Sequence, residues 1–305
     1  MSHEATTEPR TGQAALADLT SYWNRELENY RAFTADRGSL SNYRDWQPAK
    51  WQSLAGVVTR TLAATAATDG TTVRSALELG CGSATLLIQL ALTGVTGVGV
   101  DRLDAALRFG EEAARSLGAD NRVAFVKGDF FDRDFIGHLA PADLVLSSGV
   151  IEHWDREGQL RVLDKHCRLS ARWVLVGIPN LKSPVFKSFA RWAEHAGRSY
   201  DDHHYDISVP WLVDRLGVSL VAVDGCHVFH GKAAYHTPGD TNLDQLYDRL
   251  RGDLIAIGGE RYRQFPWIDF ESEDIPALYT AEMSLSRDER VRFGFMSFYL
   301  IDTRP

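Results

Sequence analysis

One short stretch, residues 75–92, constrains the fold more than any other part of the chain. It begins with SALEL, an apolar run around the single carboxylate Glu78, which suits a buried strand. Gly80 and Gly82 follow at once, and apolar residues at helical spacing come after them. Glycine lets a backbone approach a ligand closely, and the first N–H groups of a helix point towards it. The stretch therefore predicts a strand, a glycine turn and a helix start that accept a nucleoside cofactor.

The spacing within this turn separates two cofactor families. The dinucleotide fingerprint G-x-G-x-x-G/A fails because Thr85 occupies its last position. The order Glu78-x-Gly80-x-Gly82-x-Ala84 resembles motif I of the class I S-adenosylmethionine (SAM) dependent methyltransferases, (D/E)-x-G-x-G-x-G. Ala84 replaces the third glycine, and alanine still permits close approach of helix and strand. For this motif alone, an ordinary tight turn between strand and helix is the alternative.

Four further strand candidates, 95–100, 123–126, 142–147 and 173–178, strengthen the resemblance. The first runs into Asp101, nineteen residues beyond Gly82, where an acidic side chain can bind two ribose hydroxyls. The third runs into the segment 148–154, SGVIEHW, which resembles the "hhEH" segment of quinone-biosynthesis and related small-molecule methyltransferases. The resemblance covers residues 72–180, about a third of the chain.

The resemblance also assigns roles to single residues. The glycine turn belongs to the methionine end of SAM, Asp101 to the ribose, and Asp129 with Phe130 to the adenine. Ser147 or Ser148 contacts the methionine amino group. The predicted cofactor-binding residues are Glu78, Gly80, Cys81, Gly82, Asp101, Arg102, Asp129, Phe130, Ser147 and Ser148.

The same family pattern implies a sixth strand at 218–223 and an antiparallel seventh at 293–301. We therefore expect an α/β fold, with a Rossmann-like, seven-stranded, mostly parallel sheet and helices on both faces. An N-terminal helical cap and a lid insertion between strands 6 and 7 complete it. The expected divisions are 1–70 for the cap, 71–225 for the SAM-binding core, 226–290 for the lid and 291–305 for the last core strand. The cap either closes over the cofactor and acceptor or only covers one sheet edge.

The expected lid is long for a connection between neighbouring strands, and long connections in compact domains are often functional. Leu243, Leu246, Leu250, Leu254 and Ile257 form a helical stripe within it. Residues 226–290 hold eight aromatic side chains, and residues 231–290 carry 7 basic and 12 acidic ones, a local net charge of −5. We interpret this as a lid over an apolar, aromatic acceptor. The alternative is that the rings fill a small accessory core.

The charge and composition of the chain limit the kinds of partner that it can bind. The chain has 305 residues and a net charge of −8, whereas non-specific nucleic-acid binding needs a basic surface. The N-terminus lacks an apolar signal core, and the uncharged run 79–100 fits strand, turn and helix better than a membrane span. The three widely separated cysteines imply no disulfide framework. We expect a cytoplasmic monomer or homodimer with a small-molecule acceptor, no nucleic acid and no membrane.

Methyl transfer from SAM is an in-line displacement, so the protein aligns the reactants, excludes water and, where needed, removes a proton. His153 follows the fourth strand, where by resemblance the methyl group points, and imidazole titrates near neutral pH. His153 is the predicted general base, and the alternative is that the Glu-His pair only fixes the loop beside SAM. The predicted acceptor-binding residues are Tyr22, Tyr43, Trp46, His204, Tyr205 and Trp267.

A set of C-terminal histidines raises the question of a metal. It comprises His203, His204, His227, His230 and His236. Two histidines and a carboxylate would suit iron, but no ligand spacing is fixed here, so we predict no metal.

These inferences favour a SAM-dependent methyltransferase that methylates an oxygen or nitrogen atom of a small molecule, with carbon open, in bacterial secondary metabolism. The first alternative is a cyclase or other non-methylating enzyme that uses SAM as a scaffold. The second is a protein or RNA methyltransferase, which the acidic lid disfavours. The third is a non-catalytic binding module.

Overall fold

The computed structural model describes residues 43–195, 205–229 and 241–304, and the helical positions 20, 21, 24, 25 and 28. The described residues form one seven-stranded sheet in the order β3-β2-β1-β4-β5-β7-β6. Its strands are β1 Ser75–Leu79, β2 Thr96–Asp101, β3 Val123–Lys127, β4 Ala142–Ser148, β5 Ser170–Pro179, β6 Ser219–Cys226 and β7 Met296–Asp302.

Strands β1 to β5 pair in parallel, and β7 runs antiparallel between β5 and β6. This confirms the predicted mostly parallel sheet with an antiparallel seventh strand. The predicted start of that strand, Phe293, was three residues early because residues 287–293 form a helix capped by Ser286. The carboxyl ends of the parallel strands meet at one edge of the sheet, where ligands of open α/β sheets bind.

The helices follow the same chain order. They are α1 Tyr43–Trp46, α2 Pro48–Asp69, α3 Thr85–Leu92, α4 Asp104–Ser116, α5 Arg133–Gly137, α6 Arg156–Leu169, α7 Pro184–His195, α8 Val209–Leu216, α9 Thr241–Gly258, α10 Ile275–Ser284 and α11 Arg287–Phe293. Short 3-10 turns occupy Ile151–His153, Glu260–Gln264 and Ser272–Asp274. None of the described helices has the length and apolarity needed to cross a lipid bilayer.

Two apolar cores cover the two faces of the sheet. One joins α2, α3 and α4 to the sheet, and the other lies under α6 and α8. Helix α3 is buried on nearly all sides, because every residue from Thr85 to Ala91 is buried. A helix buried on all sides holds its N-terminus firmly, so the glycine turn before it has a fixed position.

A third core belongs to the insertion between β6 and β7. Phe229, Tyr247, Tyr262 and Phe265 are almost fully buried in it, together with residues of α7. The ring centroids of Phe229 and Phe265 lie 5.8 Å apart in an edge-on arrangement. For these four rings the accessory-core interpretation therefore holds, because buried rings have no face left for an acceptor.

A buried polar cluster fastens the insertion to the N-terminal helix. Glu282 of α10 is only 1% exposed. Its carboxylate accepts hydrogen bonds from the Ser53 hydroxyl at 2.7 and 2.8 Å and from Gln52 Nε2 at 2.8 Å. Both donors lie on α2, so α10 and α2 pack as one layer.

We expect Glu282→Ala to lower the free energy of unfolding by about 2 kcal/mol or more, because Ser53 and Gln52 would become buried donors without a partner. Urea denaturation at pH 7 measures the loss. The matched control is Glu273→Ala, an exposed carboxylate of the same insertion, which we expect to change stability by less than about 0.5 kcal/mol. Equal effects of the two substitutions would contradict the prediction.

Candidate functional site at the carboxyl edge of the sheet

The glycine turn after β1 folds back on β2 through its backbone. The N–H groups of Gly80 and Cys81 both donate to the Val100 carbonyl, at 2.9 and 3.0 Å. Gly80 has φ +68°, a conformation that side chains resist. A Cβ at Gly80 would also lie 2.9 Å from Cγ2 of Val150. A glycine at position 80 therefore lets Val150, which follows β4, pack closely against the turn.

Asp101, the last residue of β2, joins the two strand ends. Its Oδ2 accepts from the Gly82 N–H at 2.9 Å, and its Oδ1 accepts from the Leu103 N–H at 2.9 Å. Burial raises the pKa of Asp101, and these backbone hydrogen bonds oppose that rise. Each carboxylate oxygen can accept more than one hydrogen bond, so capacity remains for a ligand's hydroxyl groups.

Glu78 lies beneath the turn and not on its open side. The side chain is 3% exposed, and Oε2 accepts from the Leu87 N–H at 3.3 Å. Burial raises the pKa of Glu78 to about 8. The carboxyl group therefore supports the junction of β1 and α3 from within the core.

Asp129 and Phe130, after β3, reach the same edge. Asp129 Oδ1 accepts from the Phe131 N–H at 2.8 Å, and Oδ2 lies 3.6 Å from Nε of Arg102. Both partners of this ion pair are partly exposed. The Phe130 ring is buried, and its Cε1 lies 3.9 Å from the place of a Cβ on Gly80. Phe130, a predicted adenine residue, and Gly80, a predicted methionine residue, thus lie side by side at this edge.

The two serines that end β4 have different surroundings. Ser147 is fully buried, and its Oγ lies 2.9 Å from Nε2 of His166. Because Nδ1 of His166 lies 2.8 Å from the Val162 carbonyl, Nδ1 donates and Nε2 accepts from Ser147. Burial lowers the pKa of His166 to about 4, so the ring is neutral. The Ser147 hydroxyl therefore faces α6, and Ser148 is the partly exposed one of the pair.

The 3-10 turn after β4 carries the hhEH segment. His153 is partly buried, with its ring centroid 6.3 Å from that of Trp154. Glu152, in contrast, is 2% exposed, and its Oε2 has no hydrogen-bond partner among the described residues. Burial raises the pKa of Glu152 to about 8. Glu152 was not among the predicted site residues, although it stands beside His153 in the segment that carries the resemblance.

The predicted acceptor-binding residues are scattered. Tyr22 and His204 lie outside the described residues. Tyr43 is buried in the core, where its ring packs edge-on against Trp46 and Phe109. Trp46 is partly buried beside it.

The structure separates the remaining two acceptor candidates. Trp267 is 49% exposed on the insertion. Tyr205 lies beside the hhEH turn, because its N–H donates to the Glu152 carbonyl at 2.8 Å.

No group of three or more His, Cys, Asp or Glu side chains within the described ranges could hold a metal ion. Of the five C-terminal histidines, His227 alone lies in those ranges, just after β6. The other four, His203, His204, His230 and His236, lie outside them.

Comparison with known proteins identifies the central region. Residues 71–172 match a family model described as a methyltransferase domain. This span runs from just before β1 to the start of β5, and so includes the glycine turn, Asp101, Asp129 and the hhEH turn. The chain therefore carries a methyltransferase domain over these residues.

Several solved structures are similar to this chain at low identity. The magnesium protoporphyrin IX methyltransferase of Synechocystis is 17% identical with a TM-score of 0.49, over 69% of this chain and 92% of that one. An O-methyltransferase family protein of Burkholderia thailandensis is 16% identical with a TM-score of 0.42, over 54% of this chain and 50% of that one. The mitomycin 7-O-methyltransferase is 18% identical with a TM-score of 0.42, over 56% of this chain and 50% of that one. Similarity at this level bears on neither acceptor nor mechanism.

The buried Glu78 gives a test by pH. Its pKa rises from 4.5 to about 8, so between these values the folded state holds a proton that the unfolded state releases. Stability therefore falls as pH rises through this range. We expect Glu78→Gln to match the wild type near pH 5 and to exceed it by about 1 kcal/mol or more at pH 8.5. Urea denaturation at both pH values measures this, with Glu111→Gln on the exposed side of α4 as control. Parallel pH profiles of wild type and Glu78→Gln would contradict it.

Proposed function

We propose that this protein, whose residues 71–172 form a SAM-dependent methyltransferase domain, transfers a methyl group to an oxygen, nitrogen or carbon atom of a small-molecule acceptor. The single observation that carries the proposal is the hydrogen bonding of Asp101 to the Gly82 and Leu103 N–H groups. These bonds bring a carboxylate and the glycine turn together at the carboxyl edge of the sheet, which supports a binding site there.

The residues of this cleft fit the cofactor. Gly80 holds the left-handed conformation of the turn, and the turn packs closely against Val150. Asp101 offers acceptor capacity for ribose hydroxyls and Asp129 for the adenine amino group, whereas the ring of Phe130 is buried and leaves only its edge near the turn. The Ser148 hydroxyl and the backbone at the end of β4 suit the methionine amino group.

When bound, SAM supplies an electrophilic methyl group on a sulfonium. The chain's own residues orient that group and keep water from it. The turn, residues 80–82, is fixed by its backbone hydrogen bonds to Val100 and by the buried helix α3 that follows it. The hhEH turn, residues 151–153, follows β4, next to β1 in the sheet, and borders the space left for the acceptor. Binding would hold the acceptor atom, the methyl carbon and the sulfur in line. This lowers the barrier to transfer, because the entropy of bringing the reactants together is lost at the binding step.

The acceptor itself is part of the proposal. The net charge of −8 favours a small molecule over nucleic acid. We further propose a cytoplasmic monomer or homodimer that acts in bacterial secondary metabolism.

We expect Asp101→Ala to weaken SAM binding at least about tenfold, because the ribose ligand and the anchor of the Gly82 N–H are lost together. Isothermal titration calorimetry with SAM measures the change. Asp104→Ala is the matched control: this exposed carboxylate pairs with Lys127 at 2.6 Å on the outer side of α4. Wild-type protein without measurable affinity for SAM or S-adenosylhomocysteine would overturn the proposed function.

A general-base role for the His153 imidazole predicts that His153→Ala reduces turnover at least about tenfold with SAM affinity unchanged. The measurement is release of S-adenosylhomocysteine with a phenol or amine that the wild type methylates. Near wild-type turnover would remove His153 from the chemical step and leave it as a residue that holds the loop.

A further inference from the structure

A cavity of about 110 Å³ lies beside the hhEH turn, at the carboxyl end of β5 and the start of β7. Glu152, Ile178, Tyr205, Ile207 and Tyr299 are among the side chains that line it. Since β4 and β5 are neighbours in the sheet, the cavity is on the opposite side of the β4 end from the glycine turn after β1.

Glu152 contributes an unsatisfied acid to this cavity. Its side chain is almost fully buried, and Oε2 has no hydrogen-bond partner among the described residues. A buried carboxyl group without a partner is costly, and such groups usually indicate a missing ligand or a catalytic task. The other oxygen, Oε1, lies 3.6 Å from the place of a Cβ on Gly149. The carboxyl group therefore lies between the end of β4 and the cavity.

The wall opposite Glu152 is fixed to the same turn. Gln159 Nε2 donates to the carbonyls of Trp154 at 2.9 Å and Asp206 at 3.2 Å. The Tyr205 N–H donates to the Glu152 carbonyl at 2.8 Å. These three hydrogen bonds hold residues 205–206 against the hhEH turn, so the cavity is a built feature of the fold.

We infer that this cavity receives the hydroxyl- or amine-bearing end of the acceptor, and that Glu152 is the carboxyl group that hydrogen-bonds that end and receives its proton. The inference rests on the proposed function and names the acceptor site within it. His153 is not among the residues that line the cavity, which distinguishes the two neighbours in the hhEH turn.

The size and walls of the cavity define the acceptor's reacting end. A dry cavity of about 150 Å³ accommodates benzene, so a cavity of about 110 Å³ takes one functional group and a few carbon atoms. Ile178, Pro179 and Ile207 give it apolar walls on one part, and the rest of the lining is polar, with Asn180, Lys182, Tyr205, Asp206, Ser297 and Tyr299. The fitting end is therefore a small group that carries a hydroxyl or amine.

The proton balance assigns a task to Glu152. As the bond between the methyl carbon and the acceptor oxygen or nitrogen forms, the bond between that carbon and sulfur breaks. The sulfur keeps the electron pair, and the acceptor loses the proton from its O–H or N–H group. The Glu152 carboxylate takes this proton. Before transfer, the positive sulfonium of SAM favours the ionised form of the Glu152 carboxyl group. After transfer the sulfonium has become a neutral thioether, and the protonated form of Glu152 is favoured.

Ionisation of Glu152 sets the pH dependence. Burial holds its pKa near 8, and the other titratable groups at the cavity are Lys182, Tyr205, Asp206 and Tyr299. An ionised carboxylate accepts a hydrogen bond about twice as strongly as a neutral group. A ligand O–H should therefore bind more tightly as pH rises through 8, whereas a ligand without O–H should not.

Phenol and anisole test this pair of expectations, because anisole has the same ring with the hydroxyl capped by a methyl group. Each is titrated into the full-length protein loaded with S-adenosylhomocysteine, by ligand-observed NMR at pH 6.5 and 9. We expect wild type to prefer phenol at pH 9 at least about fivefold, and Glu152→Leu to lose this preference. Asp206→Asn, a change in an exposed carboxylate of the same cavity, is the matched control and should keep it.

Two results would overturn the inference: no preference for phenol in the wild type, or a preference that persists in Glu152→Leu. Should Glu152→Leu fail to fold, Glu152→Gln keeps the shape and hydrogen bonding but cannot titrate. In Glu152→Gln the preference for phenol over anisole should be equal at pH 6.5 and 9. If that preference rose with pH as much as in the wild type, the inference would be wrong. Binding of S-adenosylhomocysteine to the wild type is measured first, so loss of the proposed function is seen separately from failure at the cavity.

Discussion

The site depends on a carboxylate that reaches across from the neighbouring strand. Asp101 ends β2 and accepts from the N–H of Gly82, which belongs to the turn after β1. The turn is also held by backbone hydrogen bonds to Val100, by Glu78 beneath it and by the burial of α3. The position of the turn relative to Asp101 therefore follows from the pairing of β1 with β2. In our proposal this pairing is what brings two segments far apart in sequence to one binding edge.

Burial of acids is a second theme of the molecule. Glu78, Glu152 and Glu282 are all nearly inaccessible, and burial raises the pKa of each. Two of the three have partners: Glu78 accepts from α3, and Glu282 accepts from α2. Glu152 differs because one oxygen faces a cavity without a hydrogen bond from the described residues. Glu78 and Glu282 therefore fasten helices to their neighbours, whereas Glu152 has an oxygen available to a ligand in our proposal.

The insertion between β6 and β7 is fastened to the rest of the chain on two sides. Its aromatic core includes Phe186 of α7, and its helix α10 is bound to α2 through Glu282. A lid that opens freely would need weaker attachments than these. The exposed Trp267 and the cavity near Tyr205 lie in parts of the chain that this core does not enclose. The acceptor's selectivity, in our proposal, comes from the sheet edge more than from the buried rings.

Local signals in the chain were enough to predict the seven-stranded sheet. They also predicted which residues meet at its carboxyl edge, because the residue that ends a parallel strand must lie at the common edge whatever the rest of the chain does. Asp101 could be placed there in advance for this reason, whereas Glu78, predicted with it, lies beneath the turn in the core.

The surroundings of the other side chains depend on how separate elements pack, and local patterns do not reveal that packing. Periodicity cannot tell whether a ring such as Tyr43 or Phe265 fills a core or faces a ligand, since both uses need the same residue types. Nor could it show that His166 binds the Ser147 hydroxyl, or that Glu152 and not His153 lines the cavity. Such contacts join residues from separate elements, and the packing of those elements, which sets burial and hydrogen-bond partners, is not written in local spacing.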